Sequence, residues 1–271
     1  MAFSSPVSRR RLGIRPIRPL YVVAEIAVPS GLVALWWVLS KSSTSLYFPP
    51  LSQILSSFHK VWLFHDFKAD AVPSLENLAL GYLAAAIIGI AVGVVLGLVP
   101  LLSDAVAPAL EFLRAIPGVA LVPAALLLFG IGPEMKIALI AYGTIWPILL
   151  NTVDGIRGLD RVAGDVAASY RIRQRDRLFR IVLPAASPQI VAGMRTALSI
   201  GITIIIFSEM VGSTNGIGFQ ILSAQRNFAV PDMWAGIVLL GILGYLLNLA
   251  FRGFEYYLLR WHRGMRQIAG N

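Results

Sequence analysis

Six apolar stretches, each close to the length that crosses a bilayer, constrain the fold of this chain more than any other feature. They cover about residues 21–40, 77–100, 108–130, 135–155, 189–211 and 234–257. A transmembrane helix needs about 20 consecutive apolar residues, because the hydrocarbon core is about 30 Å thick. Only 14% of the residues are charged, whereas soluble domains average about 25%. The pattern predicts an all-α polytopic membrane protein with six transmembrane helices.

The second stretch carries glycines at a helical spacing. Gly81, Gly89, Gly93 and Gly97 lie four or eight positions apart, which places them on one face of a helix. Small residues on one face let two membrane helices approach closely. A chance excess of glycine is the alternative, since glycine is common in membrane helices. We expect a helix–helix contact.

The distribution of Lys and Arg predicts the orientation. The segments 1–20, 101–107, 156–188 and 258–271, with Arg252 at the end of the last stretch, hold 16 Lys and Arg, and the segments on the opposite side hold 5. Cytoplasmic segments carry the excess of basic residues. We therefore expect both termini in the cytoplasm of a bacterial cell, with the chain in its inner membrane. Residues 1–20 form a basic tail, and 21–271 form a single membrane domain.

Two further segments need interpretation. The arginines at 9–11 loosely resemble a twin-arginine signal, but no small-residue cleavage site follows closely, so we expect an uncleaved first helix. Residues 41–72 are partly apolar but are interrupted by His65, Asp66 and Lys68. This segment predicts an amphipathic helix at the interface rather than a span.

The composition excludes several kinds of chemistry. The chain has no cysteine, and its three histidines, His59, His65 and His262, are too scattered to share a metal. It contains no Gly-Lys pair and hence no phosphate-binding P-loop. We therefore predict no catalytic residue, no metal site and no bound cofactor, and expect any ATP and Mg²⁺ to bind a partner chain. The net charge of +9 reflects membrane topology rather than binding of nucleic acid.

The loop at 156–188 is too long for a simple connection. Its apolar residues follow a helical spacing before and after Arg171-Ile172-Arg173, which predicts two short amphipathic helices among arginines. Such a pair could dock into a groove on a partner protein. The alternative is a basic surface held by anionic membrane lipid.

The same segment, from Asp165 to Pro188, resembles the conserved cytoplasmic loop of bacterial ABC importer permeases. The family pattern has Glu-Ala-Ala, then Gly, then Leu-Pro-Ala-Ala-x-Pro. Asp165 occupies the Glu position, and Leu183 and Pro184 match outright. The resemblance implies that this loop couples the permease to an ATPase subunit. Its candidate residues are Asp165, Ala167, Ala168, Arg171, Leu178, Phe179, Leu183 and Pro184.

Arg171 departs from the family pattern because it stands at the glycine position. Glycine there allows a left-handed turn, in which arginine would cost about 1–2 kcal/mol. The chain therefore has either a different turn or a strained one.

Other motifs narrow the resemblance to the nitrate, sulfonate, taurine and bicarbonate permeases. They include Phe112 to Pro117, Phe129 to Gly132, Ser208-Glu209-Met210 and Gly216-Ile217-Gly218. Ser74-Leu75-Glu76-Asn77 lacks the arginine that the subfamily carries at the position of Asn77. The resemblance implies a type I ABC importer permease that acts as a homodimer with two ATPase subunits and a periplasmic or extracellular substrate-binding protein.

Polar residues within or near the spans are candidates for a translocation path, since charges and hydroxyls at membrane depth face a cavity or a partner. These candidates are Arg114, Thr144, Asn151, Ser199, Thr203 and Glu209. Each also has a structural alternative: ion pairing of Arg114 with Glu111, back-bonding of the hydroxyls to their own helix, or a surface pair for Glu209. A secondary transporter and a structural membrane subunit without an ATPase remain the alternative functions.

Overall fold

The computed structural model describes residues 19–63, 67–159 and 169–261, and every regular element in these ranges is helical. Contacts divide the chain into an N-terminal unit that ends at Gln53 and a larger unit that begins at Ile54. In the N-terminal unit, α1 spans Pro19–Ser40. The Ser40 hydroxyl then accepts a hydrogen bond of 3.1 Å from the backbone N–H of Leu51, where α2 begins.

The remaining helices follow in chain order. They are α2 (Leu51–Trp62), α3 (Val72–Leu98), α4 (Pro100–Ala115), α5 (Val122–Phe129), α6 (Pro133–Arg157), α7 (Gln174–Arg177), α8 (Leu183–Gly212), α9 (Ile217–Arg226) and α10 (Val230–Leu258). A π-helical turn precedes α3 at Phe67–Ala71 and another precedes α8 at Leu178–Val182. Proline lies in the first turn of α4, α5, α6 and α10, where its missing N–H leaves no helical hydrogen bond unmade. In α3 and α8, the proline lies just after the π-helical turn.

Within the described residues, four helical stretches are long and apolar enough to cross a membrane. They are Phe67–Leu98, Pro133–Arg157, Gln174–Gly212 and Val230–Leu258, and a bent pair formed by α4 and the Gly118–Phe129 segment makes five if it counts as one span. The predicted all-helical membrane architecture is confirmed at this level. Helix α1 has 22 residues, of which Ala27–Ser40 form a shorter apolar helix. The presence of six spans therefore remains a prediction.

The third apolar stretch is not one continuous helix. Helix α4 ends at Ala115, and the chain bends by 76° before Gly118–Phe129. Ile116 has an extended backbone (ψ 115°) and Pro117 follows it. A residue before proline disfavours the helical conformation for steric reasons, and this explains the break.

The glycine face of α3 packs directly on α6. A Cβ atom on Gly81 would lie 2.7 Å from the Cβ of Ile140, and one on Gly93 would lie 2.7 Å from the Cβ of Thr152. Gly97 meets Ile156 in the same way. The partner number rises in step with the glycine number, so α3 and α6 run parallel. The expected helix–helix contact is confirmed.

Helix α8 packs on another side of α6 in the opposite direction. Gly193 approaches Asn151, Gly201 approaches Thr144, and Gly212 approaches Met135. The α6 numbers fall as the α8 numbers rise, which is the signature of antiparallel helices. Helix α6 is therefore the central element, and α3 and α8 pack closely against it.

Two short amphipathic helices pack against α10. In α2, the side chains of Phe58, Val61 and Trp62 contact a buried cluster that includes Ile221 of α9 and Leu239 of α10. The helix expected within 41–72 is confirmed as α2, and its position at the membrane interface stays a prediction. Helix α9 is not among the sequence predictions, because its ten residues lie between two long apolar stretches and carry a weaker pattern.

Candidate functional site

The most polar buried site of the described chain surrounds the first turn of α9. Four side chains form what we call the α9 cap cluster: Asp70, Ser74, Lys136 and Glu209. They are 4%, 3%, 3% and 0% exposed, and they come from the end of a π-helical turn and from α3, α6 and α8. Burying charges is costly unless they are paired and hydrogen-bonded, so each group needs partners.

The N-terminus of α9 supplies those partners to the carboxylates. The N–H of Gly216 donates to Asp70 Oδ1 at 2.6 Å, and the N–H of Gly218 donates to Glu209 Oε2 at 3.0 Å. Between them, the N–H of Ile217 donates to the hydroxyl of Ser74 at 3.1 Å. The first N–H groups of a helix have no partner within the helix, and its N-terminus carries a partial positive charge. Side chains from elsewhere in the fold therefore cap α9.

Further hydrogen bonds complete the cluster. The Ser74 hydroxyl donates to Glu209 Oε1 at 2.6 Å, and Gln220 Nε2 donates to Asp70 Oδ2 at 2.8 Å. All four carboxylate oxygens of Asp70 and Glu209 therefore accept hydrogen bonds. The cluster ties α3, α8 and α9 together at one end of the helical core.

Two glycines make this arrangement possible. Gly216 has φ of +115°, a conformation that glycine adopts readily and other residues rarely do. A Cβ atom at Gly216 would collide with the carboxylate of Glu209, and one at Gly218 would lie 2.9 Å from the Cβ of Glu209. The motif Gly216-Ile217-Gly218 thus lets the backbone approach a buried carboxylate.

Lys136 is the single cation of the cluster. Its Nζ lies 3.7 Å from Glu209 Oε1 and 3.4 Å from both the carbonyl oxygen and the side-chain Oδ1 of Asn215. These distances exceed the roughly 2.7–2.9 Å of a strong charge-assisted hydrogen bond. The ammonium group is therefore buried but loosely held.

Ser199 and Thr203 share an exposed face of α8. Thr196 extends the same face by one turn, and all three side chains are exposed. The Thr203 hydroxyl donates to the carbonyl of Ser199 at 3.1 Å, as the back-bonding alternative expects. The Thr203 hydroxyl is therefore hydrogen-bonded within its own helix, and its oxygen remains exposed on the surface of this chain.

Thr144 and Asn151 lie instead between α6 and its neighbours. Thr144 is fully buried, and its hydroxyl donates to the carbonyl of Ile140 at 2.6 Å. Asn151 Nδ2 donates to the carbonyl of Pro147, and its Oδ1 accepts a hydrogen bond of 2.9 Å from Gln189 of α8. Both therefore act in helix packing in this conformation.

Arg114 lies apart from these residues, exposed at the end of α4. Within the described part of the chain, no ion pair joins it to Glu111. The structure thus brings Ser199 and Thr203 onto one face. It does not gather the six candidate path residues into one cavity.

The loop before α8 has both buried and exposed candidates. Leu178 and Leu183 pack against a buried cluster of Ile156, Val182, Ala186 and Ile190, and Pro184 lies in the first turn of α8. Phe179 is 59% exposed. Arg171 is exposed and has φ of +54°. This positive φ corresponds to the left-handed turn in which a residue other than glycine is strained. Asp165, Ala167 and Ala168 lie outside the described residues, as does the first of the two predicted loop helices.

Sequence reasoning found Glu209 but missed Asp70, Ser74 and the role of Lys136. Lys136 carried a usable signal, since a lysine next to a long apolar stretch needs a partner. Asp70 carried no such signal, because the sequence predicts that its segment, 41–72, lies at the membrane interface.

Comparison with known proteins places this architecture in a family. Residues 83–264 match the model of the binding-protein-dependent transport system inner membrane component. The bicarbonate transport system permease protein CmpB of Synechococcus elongatus is 33% identical over 89% of each chain. The taurine transport system permease protein TauC of Escherichia coli (strain K12) is 29% identical over 93% of this chain and 94% of its own.

A solved structure supports the same fold. It shows inward-facing conformations of the MetNI methionine ABC transporter, with a TM-score of 0.60 and 21% identity over 70% of this chain and 94% of that one. The chain belongs to the binding-protein-dependent transport system inner membrane component family, the multi-pass membrane permeases of ABC importers. Within that family, the curated relatives named above are permeases of transport systems for bicarbonate and taurine.

Proposed function

We propose that two copies of this chain form the translocation unit of an ATP-driven importer for small oxyanions of the sulfonate, taurine, nitrate or bicarbonate type. Each copy crosses the membrane six times with both termini in the cytoplasm. The loop at 156–188 couples it to an ATPase subunit that binds ATP and Mg²⁺. A substrate-binding protein delivers the solute from the other side.

The exposed hydroxyl face of α8 is the observation that carries this proposal. Along the middle of α3 and α10, the exposed positions are apolar, for example Leu83, Ile87, Leu246 and Leu249, as contact with lipid requires. On α8, the exposed edge carries Thr196, Ser199 and Thr203 over two turns and becomes apolar at Phe207 and Val211. A hydroxyl group that faces lipid hydrocarbon finds no hydrogen-bond partner there. A hydroxyl group that faces a second copy or an aqueous path can form hydrogen bonds.

The parallel packing of α3 and α6 supports the six-span topology. Two parallel spans must be separated by an odd number of crossings. The bent pair of α4 and α5 is the only candidate between them in the described residues, so it counts as one crossing. With α1 as the first span, the total is six.

The loop before α8 supports docking of a partner. Tyr170 and Phe179 are exposed beside arginines at 171, 173, 175, 177 and 180. Exposed aromatic and arginine side chains are enriched in protein interfaces. Leu178 and Leu183 anchor the same segment to the core, so a force on the loop is transmitted into α8.

The substrate class is proposed from the relatives. The chain resembles the taurine and bicarbonate permeases over about nine-tenths of its length. Both solutes carry negatively charged oxygens and are small.

Single-cysteine cross-linking tests the paired arrangement. The chain has no native cysteine, so a Thr203→Cys variant can form a disulfide only with a second copy or another protein. We expect oxidation in membranes to give a homodimer. Leu246→Cys on α10 is the matched control and should remain monomeric. Equal cross-linking of the two variants would contradict the proposed face.

Reconstitution tests the transport function itself. The chain is co-expressed with its ATPase and binding protein and placed in liposomes, and uptake of radiolabelled taurine, bicarbonate and nitrate is measured with and without ATP. We expect uptake that requires ATP and the binding protein. Uptake by the chain alone would instead favour a secondary transporter.

A further inference from the structure

A polar cavity of about 380 Å³ opens beside the α9 cap cluster. It lies where α3 and α6 begin and where α8 leads into α9. Its volume falls in the roughly 300–1,000 Å³ range of small-molecule sites. The polar side chains that line it are Glu76, Asn77, Lys136, Ser213, Thr214 and Asn215.

Asn77 is the unexplained group in this cavity. It is only 6% exposed, yet its side-chain amide has no hydrogen-bond partner among the described residues. Buried side-chain amides are nearly always hydrogen-bonded to protein or water. The amide of Asn77 is not among the fully enclosed unpartnered atoms of the described residues, so it keeps access to the cavity. The amide offers two N–H donors and one acceptor oxygen to the cavity. An amide that meets no protein group at this position is suited to a ligand.

Lys136 also lines the cavity. Its ammonium group has three acceptors, the two oxygens of Asn215 at 3.4 Å and Glu209 Oε1 at 3.7 Å, and an anion that binds here would replace one of these long contacts with a shorter one. The carboxylates of Asp70 and Glu209 do not line the cavity. Their oxygens are bound by Ser74, Gln220 and the first turn of α9.

The first turn of α6 lies beside the cavity, and Glu134 in that turn offsets part of the positive field of the helix end. This helix begins at Pro133, beside the cavity, and no side chain at its N-cap position binds its first N–H groups. The N-terminus of a helix carries a partial positive charge of about half an elementary unit. Glu76 is the one carboxylate that lines the cavity, and it is exposed at the rim.

We propose that this cavity binds a small oxyanion, a sulfonate or a carboxylate, with the Asn77 amide and the Lys136 ammonium as its hydrogen-bond donors. The inference rests on the proposed import function and adds to it a reception site for the solute. In the proposed orientation, this site lies at the outer surface, where a binding protein releases its cargo. The carboxylate of Glu76 repels a bound anion, so replacing Glu76 with a neutral residue strengthens binding.

The test uses trifluoromethanesulfonate as a probe, because its ¹⁹F NMR line broadens on binding. The full chain is placed in nanodiscs of zwitterionic phosphatidylcholine, without ATPase or binding protein, and the probe is titrated. We expect saturable broadening for the native chain. Asn77→Leu and the nearly isosteric Asn77→Asp should each weaken binding about tenfold or more, since a hydrogen bond to a charged group is lost. Glu76→Gln should strengthen binding severalfold.

The matched control is Asn248→Leu on α10. That amide is also partly buried but donates to the carbonyl of Gly244 in its own helix, so the affinity should not change. Thermal unfolding of each variant checks that it is folded. Absence of saturable broadening in the native chain, or unchanged affinity in Asn77→Asp, would overturn the inference. ATP-driven uptake without probe binding would refute the binding site and leave the proposed function intact. Probe binding without ATP-driven uptake would support the binding site and refute the proposed function.

Discussion

Adding a single methyl group to the glycine face of α3 should destabilise the helical core more where less space is available. In Gly93→Ala, the new Cβ atom would lie 2.7 Å from the Cβ of Thr152 and 2.9 Å from the carbonyl of Leu149. Carbon atoms pack optimally at about 3.5–4.0 Å, so α3 and α6 must separate by about 1 Å. Overpacking of this kind costs about 1–3 kcal/mol.

Two matched variants separate this clash from the general effect of replacing glycine. Gly241 on α10 has no atom within 4 Å of a new Cβ atom, so Gly241→Ala should gain about 0.5–1 kcal/mol of helix stability. Gly89 is intermediate, because its nearest neighbour would lie at 3.2 Å from Ile148. We expect the stability order Gly241→Ala, then Gly89→Ala, then Gly93→Ala, with about 1–3 kcal/mol between the first and the last.

The assay is reversible unfolding of the purified chain in mixed micelles by increasing fractions of sodium dodecyl sulfate, followed by circular dichroism. The free energy of unfolding is compared among the three variants and the native chain. If Gly93→Ala were as stable as Gly241→Ala, the close packing of α3 on α6 would not exist as described. If all three variants lost stability equally, the loss would come from glycine replacement in general.

Three further predictions concern the loop before α8 and the start of α9. Arg171→Gly should stabilise the left-handed turn by up to about 1 kcal/mol, because glycine avoids the steric cost of φ +54°. Slower amide exchange in residues 169–173 would show this, and Arg173→Gly, at φ −57°, should not produce it. Gly216→Ala should cost about 2 kcal/mol or more, because it combines strain at φ +115° with a collision against a buried carboxylate; a melting temperature equal to that of the native chain would contradict it. Replacing Asp165 or Leu183 with alanine should reduce the amount of ATPase that co-purifies while membrane insertion persists, and normal uptake in both variants would refute the coupling role of the loop.

The sequence predicts the long helices well because their signal is local. An apolar stretch of bilayer length has few alternatives, and the glycine spacing on α3 shows which face meets another helix. The sequence also contains a local signal for the break in the third stretch, the pair Ile116-Pro117. Average hydropathy over the stretch does not show this signal. The departure at Arg171 left a different turn and a strained turn as alternatives, and the structure has Arg171 at φ +54°.

The α9 cap cluster could not be predicted in this way because it is a contact between distant segments. Asp70, Ser74, Lys136 and Glu209 approach one another only after α3, α6 and α8 have packed. Nothing in a local pattern says that Asp70 will bind the N–H of Gly216. The sequence did mark Glu209 as costly and therefore functional or paired, and the structure shows the partners.

The close contacts constrain how such a molecule can change shape. Helices α3 and α8 both approach α6 at glycines where a methyl group would already collide, and packed interfaces of this density shift between discrete arrangements rather than deform continuously. The α9 cap cluster joins α3 to α8 again at one end, directly through the Ser74–Glu209 hydrogen bond and indirectly through the N–H groups of Gly216 and Gly218, which bind Asp70 and Glu209. Opening a path between α3, α6 and α8 would break these contacts together. In the proposed two-copy importer, a change between inward- and outward-facing states is therefore expected to move this helical core as one body, with the proposed hydroxyl face of α8 at the moving boundary.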